Sequence, residues 1–224
     1  MARRTGGPAV LDAAEPQSPA QAFAVQDAVL AKLEEAVGGW KASGESPEGF
    51  PLIAPLHAST LRSDTTRPAP ADGWSIEVEL AFCLGSEMAP GALSDAVAEV
   101  RVCLELCRSR VPAQAARLLF LADGLANDGV VLGSGRPAGP ALSLAGRQVH
   151  LRINGQPVYS GTTGSQAEMV RTLDWFARQP RGGGDVRPGQ VIITGSLSGL
   201  TKVAPGDVVE ASIDGVGAVR FTPT

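Results

Sequence analysis

Aromatic side chains are scarce in this 224-residue chain: six Phe, three Trp and one Tyr, 4% of the total. A core with so few rings has to be built from Val, Leu, Ile and Ala, each burying less area than a ring does. Such a chain gains by oligomerising. Histidine is scarcer still, with only His57 and His150. The three cysteines, Cys83, Cys103 and Cys107, show no CxxC spacing. An odd, sparse set fits neither a disulfide framework nor a zinc site; it suits a reducing compartment and reads as small buried apolar side chains. Long hydrophobic runs are missing too, with nothing near the roughly 18 consecutive apolar residues of a membrane span. Positive charge is not in excess: 19 Lys and Arg against 23 Asp and Glu give a formal net charge of −4. With no basic stripe, nucleic acid is set aside as the main partner, and small or metal-bound ligands are the better candidates. Paired arginines occur in Met1-Ala2-Arg3-Arg4-Thr5, but Gly6, Gly7, Asp12 and Glu15 interrupt the next residues before an apolar h-region can form. The reading is no signal peptide and a cytoplasmic protein.

What is plentiful is glycine and proline, 27 and 17 residues, a share below the roughly 25–30% that marks low complexity. They predict many turns joining short strands. Residues 1–17 read as a flexible lead, and residues 18–224 as a single domain. Ser18-Pro19 supplies an N-cap and a proline for the first helical turn, and Ala22, Val25, Val29 and Leu33 recur at helical spacing until Gly38-Gly39. That predicts a helix over 18–38. From Ala42 to Gly73 prolines and polar residues dominate, which reads as a long, partly extended loop with a brief apolar stretch at Phe50 to Leu56. The β core is therefore expected from about residue 74 onward.

Strict alternation begins there. Ile76, Val78, Leu80, Phe82 and Leu84 share one face of a strand, and Glu77, Glu79, Ala81 and Cys83 the other. After a short helix near Ser94 to Glu99, Val100, Val102, Leu104 and Leu106 alternate with Arg101, Cys103, Glu105 and Cys107, a second strand. Gly133 and Gly135 are placed in a loop. Gln148 to Ile153 and Val158-Tyr159 flank Asn154-Gly155, a type I′ hairpin signal. Ser165 and Glu168 form a capping box for a helix with Met169, Leu173 and Phe176 on one face. After Gly182-Gly183-Gly184, three strands are expected over 190–194, 207–213 and 216–221.

The first strand carries the most informative constellation. Glu77 and Glu79 project from one face, roughly 7 Å apart along the strand, opposite a wholly apolar face that must bury. They read either as a solvated face or as ligands of a cation, since like charges so close raise each other's pKa whereas a divalent ion keeps both ionised. Glu105 repeats the design. Three carboxylates without a histidine or thiolate pattern favour a hard ion, Mg²⁺ or Mn²⁺.

The order of segments resembles the fumarylacetoacetate hydrolase superfamily, in its branch of 2-oxopent-4-enoate hydratases and 4-oxalocrotonate decarboxylases. The residues that carry the resemblance are Ala22-Phe23-Ala24-Val25-Gln26, Gly39-Trp40-Lys41, Ile76 to Phe82, and Leu104-Glu105-Leu106-Cys107-Arg108-Ser109-Arg110. Ala122-Asp123 with Val131-Leu132-Gly133, then Ile193 to Gly199, and Pro205-Gly206-Asp207 continue it to the C-terminus. The resemblance implies a β-rich α+β fold, a mixed β-roll or barrel of the fumarylacetoacetase C-terminal type with peripheral helices. It also implies a divalent metal on Glu77, Glu79 and Glu105, and a short unsaturated 2-oxo acid as substrate. By the same resemblance Lys41 binds the substrate carboxylate or transfers a proton; from the sequence alone it reads as an exposed loop lysine. Asp123 either orients a water or a backbone amide or caps the turn before Gly124. Thr194, Gly195 and Ser196 either donate to the substrate carboxylate or form a tight turn. Where the family carries Asn and serines this chain has Gly124-Leu125-Ala126-Asn127, which leaves that polar contact to Asn127, and Pro51 to Leu56 lacks an acidic residue found in some members.

The implied activity is hydration of a 2-hydroxypenta-2,4-dienoate to 4-hydroxy-2-oxopentanoate type substrate in aromatic catabolism, by a homo-oligomer or in complex with a homologous decarboxylase or an aldolase. The alternatives are a 4-oxalocrotonate-type decarboxylase, a carbon–carbon bond hydrolase, and a non-catalytic partner subunit. His57 follows the apolar loop segment and could approach the site, but its spacing does not match a hydrolase dyad, and His150 reads as structural or surface.

Overall fold

The computed structural model describes residues 15–70, 73–86, 93–112, 116–139, 141–183 and 186–224; the expected lead therefore lies outside the described residues up to position 14, as does Gly184. The elements run in the order α1 (Pro19–Leu33), β1 (Val37–Glu45), β2 (Pro51–His57), β3 (Leu61–Arg62), β4 (Thr66–Arg67), β5 (Trp74–Leu84), β6 (Val97–Cys107), α2 (Arg117–Ala122) and β7 (Asn127–Pro137). The chain continues through β8 (Gln148–Ile153), β9 (Gln156–Thr162), α3 (Gln166–Ala177), β10 (Val191–Ile193), β11 (Thr201–Val203), β12 (Val209–Ile213) and β13 (Gly217–Pro223). One sheet has the order β2-β1-β10-β5-β6-β7-β3 with β11 also on β5, and a second has the order β4-β13-β12-β8-β9. The pairs β1–β10, β3–β7 and β4–β13 are parallel and the rest antiparallel, so the sheets are mixed, β-rich and served by few helices, as expected.

The alternation in β5 and β6 builds the core. Ile76, Val78, Leu80 and Phe82 of β5 and Val102, Leu104 and Leu106 of β6 pack with Val149 and Leu151 of β8, Val209 and Ile213 of β12, Phe221 of β13 and Phe176 of α3. This core lies between the two sheets. The few rings that exist are spent there: Trp40 meets Phe176 with centroids 6.1 Å apart, and Trp74 meets Phe221 at 5.9 Å. On the opposite face of the large sheet, Leu56, Ala81, Cys103, Val130, Val191 and Ile193 are buried as well. A carboxylate on that face is therefore withdrawn from solvent, which is what positions the site.

The N-terminal third departs from expectation. The helix ends at Leu33, capped by Glu34 in the left-handed region (φ 53°), and Val37–Glu45 is a strand rather than the helix end and loop expected. Gly38 and Gly39 do not terminate a helix; a Cβ on Gly39 would lie 2.1 Å from the Val191 carbonyl oxygen, so glycine is what lets β1 pair with β10. The buried stripe of α1 is Ala22, Gln26 and Leu30, while Val25 is 43% exposed. Gln26 is inward because its amide donates to the carbonyls of Ile53 and Leu121, at 3.1 and 2.8 Å. The expected loop over 42–73 contains β2, whose Pro51 and Pro55 are tolerated because β2 is an edge strand. The β core thus begins at residue 37, not 74. Leu93–Ala96 is a 3-10 turn and Val97 already opens β6. Gly133 and Gly135 sit in β7, where Cβ atoms would approach the carbonyl oxygens of Ala218 and Val100 to 2.3 and 2.4 Å.

Other local signals hold. Ser18 caps α1, Ser165 and Glu168 form the reciprocal capping box of α3, and Asn154 and Gly155 take φ of 53° and 77° in the β8–β9 hairpin.

Candidate active site

On β5 and β6 the pairing register sets Glu77 directly opposite Glu105 and Glu79 opposite Cys103. All four point away from the intersheet core. Glu79 and Glu105 are fully buried and Glu77 partly so. Lys41 reaches Glu105 from β1, three strands away across β10 and β5. Its Nζ donates to both oxygens of Glu105, at 2.9 and 2.8 Å, and to the Leu125 carbonyl at 3.3 Å. Those three bonds use all three ammonium protons. Lys41 is thus a buried partner of Glu105, not an exposed loop lysine.

The second strut of Glu105 is Asn127, whose Nδ2 donates to Oε1 at 2.7 Å. The backbone N–H of Gly195 donates to Glu79 Oε2 at 2.9 Å, and Ser196 hydrogen-bonds to Glu77. The loop after β10 is laced to β5 further along, where Val78 N–H donates to Ser198 Oγ at 3.0 Å. A Cβ on Gly195 would meet no atom within 4 Å, so this end of the site borders open space.

Burial first, and the neighbouring Glu105 charge second, push the Glu79 carboxyl well above its ordinary range. Burial raises Glu77 as well, opposed by Lys41. For Lys41 burial acts to lower the pKa, but Glu105 and Glu79 outweigh it and hold the ammonium above its usual value. Cys103 and Cys107 are pushed up chiefly by burial and stay thiols. Three carboxylates therefore surround one ammonium in a site removed from water, a donor set that invites a further positive charge.

The residues fit a divalent cation. Glu79 Oε1 is buried with no hydrogen-bond partner. A carboxylate offers about four lone-pair positions, and Glu105 uses three of them on Lys41 and Asn127, which leaves one. Among the described residues, ligand atoms of Glu77, Glu105 and Cys107 lie within 4.8 Å of one another. Glu79, one rung on, is not in that trio, and Cys107, read from sequence as an apolar filler, is; its Sγ lies 3.7 Å from Glu77 Oε2.

Of the other candidates, Asp123 holds Arg110: its Oδ1 accepts from Nε at 2.6 Å and its Oδ2 from the Arg110 backbone N–H at 3.0 Å. Asn127 faces Glu105. Thr194 is half-buried and Ser196 exposed on either side of Gly195. His150 sits on β8 in the other sheet, and His57 closes β2 beside a cavity of 400 Å³ shared with Arg62 and Arg67. Sequence reasoning missed the Leu125 carbonyl, which as a backbone group leaves no side-chain signal, and Arg110, whose partners are set by tertiary structure.

Known proteins resemble this chain in sequence and in fold. The fumarylacetoacetate (FAA) hydrolase C-terminal family model matches residues 20–222. The chain is 35% identical over 158 residues to a 2-keto-4-pentenoate hydratase of Paraburkholderia xenovorans, covering 65% of this chain and 57% of that protein. It is 30% identical over 156 residues to a 2-hydroxyhexa-2,4-dienoate hydratase of Comamonas testosteroni, covering 65% and 59%. The matched stretch thus spans under two thirds of either hydratase. Among solved structures, 4-oxalocrotonate decarboxylase from Pseudomonas putida G7, complexed with magnesium and adipate, superposes with a TM-score of 0.75 over 92% of this chain and 86% of that one, at 22% identity. That likeness is one of fold.

Proposed function

The chain belongs to the fumarylacetoacetate (FAA) hydrolase C-terminal family, and from that premise we propose that it is a divalent-cation-dependent lyase. Its reaction is hydration of a short unsaturated 2-oxo acid, of the 2-hydroxypenta-2,4-dienoate to 4-hydroxy-2-oxopentanoate type. The observation that carries this reading is the buried carboxylate set with one orphaned oxygen, Glu79 Oε1, closed on one side by the charged Lys41. Glu77, Glu79 and Glu105 would hold Mg²⁺ or Mn²⁺, which supplies Lewis acidity to the carboxylate and 2-oxo oxygens of such a substrate.

The chain's own groups do the rest. Lys41 Nζ carries a proton that burial disfavours and that Glu105 and Glu79 hold in place. Its weakest bond, 3.3 Å to the Leu125 carbonyl, is the one it can give up, turning that N–H toward the substrate carboxylate or toward the dienol carbon that is protonated. Thr194, Gly195 and Ser196 line the open end, where the Thr194 hydroxyl is the donor offered to the substrate carboxylate, while the Gly195 N–H and the Ser196 hydroxyl keep Glu79 and Glu77 in place. Asn127 fixes Glu105, and Asp123 serves at one remove through Arg110. Packing of Leu56, Val191 and Ile193 on the same face excludes water from behind the carboxylates.

The same groups suit a 4-oxalocrotonate-type decarboxylase, a reading favoured by the fold neighbour. Incubation of the metal-loaded protein with 2-hydroxypenta-2,4-dienoate and with 2-oxohex-3-enedioate separates the two. Loss of the dienol without gas is the expected result; CO₂ release identifies the decarboxylase, and no turnover of either refutes the lyase. We also place the protein in the cytoplasm, where the three unpaired thiols persist, although the structure itself says only that no helix among the described residues is long and apolar enough to cross a membrane. The scarce aromatic core favours a homo-oligomer, alone or with a homologous decarboxylase or an aldolase; a stable monomer by light scattering at micromolar concentration would contradict it.

A further inference from the structure

Three consecutive residues between α2 and β7, Gly124, Leu125 and Ala126, hold positive φ of 70°, 56° and 59°. For Leu125 and Ala126 the left-handed conformation costs roughly 1–2 kcal/mol each. It persists only where the surroundings fix it. This loop makes two contacts to the site: the Leu125 carbonyl accepts from Lys41, and the Asn127 side chain donates to Glu105.

What fixes the loop is Arg110, which is 8% exposed. Its Nη2 donates to the carbonyls of Asp123 and Asn127, at 2.6 and 3.1 Å, and so ties the two ends of the loop to one nitrogen. Its Nε holds the Asp123 carboxylate at 2.6 Å, and Nη1 reaches Asp128 Oδ1 at 3.4 Å. Asp128 is anchored in turn by Trp74 Nε1 at 2.8 Å. A planar fork is required to serve four acceptors in this way; an ammonium cannot do it.

We propose that Arg110 is a positioning residue for the reaction: it clamps residues 123–127 in the left-handed form that presents the Leu125 carbonyl to Lys41 and the Asn127 amide to Glu105. The proposal rests on the lyase reading above for its catalytic half. Its structural half stands apart from any substrate. Removing the clamp frees the loop to relax, Lys41 loses its third acceptor, and Glu105 loses the amide that fixes its plane, while the β5–β6 ladder carrying the carboxylates stays paired.

The test uses the full chain with Arg110→Gln, Arg110→Lys, Asn127→Ala and the double variant Arg110→Gln/Asn127→Ala. Hydrogen exchange on metal-free protein comes first. Exchange across 123–128 should rise at least about tenfold in Arg110→Gln, as local opening becomes easier, with peptides of β5 unchanged. Under turnover, kcat should fall at least about tenfold with KM within about threefold, because the substrate's own contacts are left in place. Arg110→Lys should not restore it, and the double variant should be no slower than Arg110→Gln alone, since both changes release the same contact. Unchanged loop exchange, rescue by lysine, or a kcat loss that adds to that of Asn127→Ala would overturn the proposal. If Arg110→Gln does not fold, Arg110→Lys carries the same exchange and kcat measurements. If wild type turns over no dienol, the lyase reading falls, while loop exchange and Mn²⁺ affinity by calorimetry still decide the clamp: both perturbed together in Arg110→Gln supports it, neither perturbed overturns it.

Discussion

Replacing Lys41 by Met tests the electrostatic heart of the site through stability alone. The side chain is 10% exposed and its partner Glu105 is not exposed at all, so no solvent screening softens the loss. Truncating one partner of such a pair leaves an uncompensated buried carboxylate, a penalty of roughly 3–5 kcal/mol. At about 2–4 °C per kcal/mol for a chain of this size, the melting temperature should drop by about 6–20 °C. Urea denaturation of metal-free protein, followed through Trp40 next to the substitution, measures the change directly; the slope should stay the same and the midpoint fall. Two controls separate charge from packing. Lys41→Met with Glu105→Leu should recover most of the loss, because removing both charges leaves none unpaired. Mn²⁺ should restabilise Lys41→Met more than wild type, since the ion replaces the missing positive charge. A loss under about 1 kcal/mol in metal-free Lys41→Met, well below the penalty for an unpaired buried charge, would refute the reasoning.

The Glu79 carboxyl, raised by burial and by Glu105, gives a pH signature. Its folded-state pKa lies above the unfolded value, so its contribution is full below the ordinary carboxylate range and is lost as pH rises through the folded-state pKa. Metal-free wild type should lose up to about 1.4 kcal/mol per pH unit there relative to Glu79→Gln; parallel stability profiles of the two would contradict the assignment. Ser165→Ala removes the capping box of α3 and should cost about 1 kcal/mol by thermal melting, with no change in metal binding. Gly39→Ala would drive a Cβ to 2.1 Å from the Val191 carbonyl oxygen, so β1 and β10 should fail to pair; a variant with the circular dichroism and melting temperature of wild type would show that pairing to be dispensable.

Period-two patterns were legible from the sequence wherever one face had to bury. β5 and β6 with their glutamates, the Asn154-Gly155 turn and the α3 capping box all arise from local chemistry. What hid was structure whose reason lies in a neighbouring strand. Gly39 and Gly133 look like breakers, yet each is a place where another backbone comes too close for a Cβ. Pro51 and Pro55 look like loop, yet an edge strand does not need their missing N–H groups. Gln26 took the inward position on α1 that apolar periodicity gives to Val25, because two carbonyls needed its amide. Within the site, the glutamates could be singled out by residue type and spacing and Lys41 by the family resemblance, while the Arg110 clamp, the Leu125 carbonyl and the inward-facing Cys107 depend on segments that meet only in the fold.

The central claim is that the cluster of Glu77, Glu79 and Glu105 binds one divalent ion and that turnover depends on it. A single titration measures both: metal-stripped protein with Mn²⁺ added stepwise, bound ion counted and loss of 2-hydroxypenta-2,4-dienoate monitored in the same samples. The account predicts activity rising in step with occupancy to one ion per chain, with binding and turnover both lost in Glu79→Gln. Full turnover in the stripped protein, or binding that Glu79→Gln leaves intact, would contradict it.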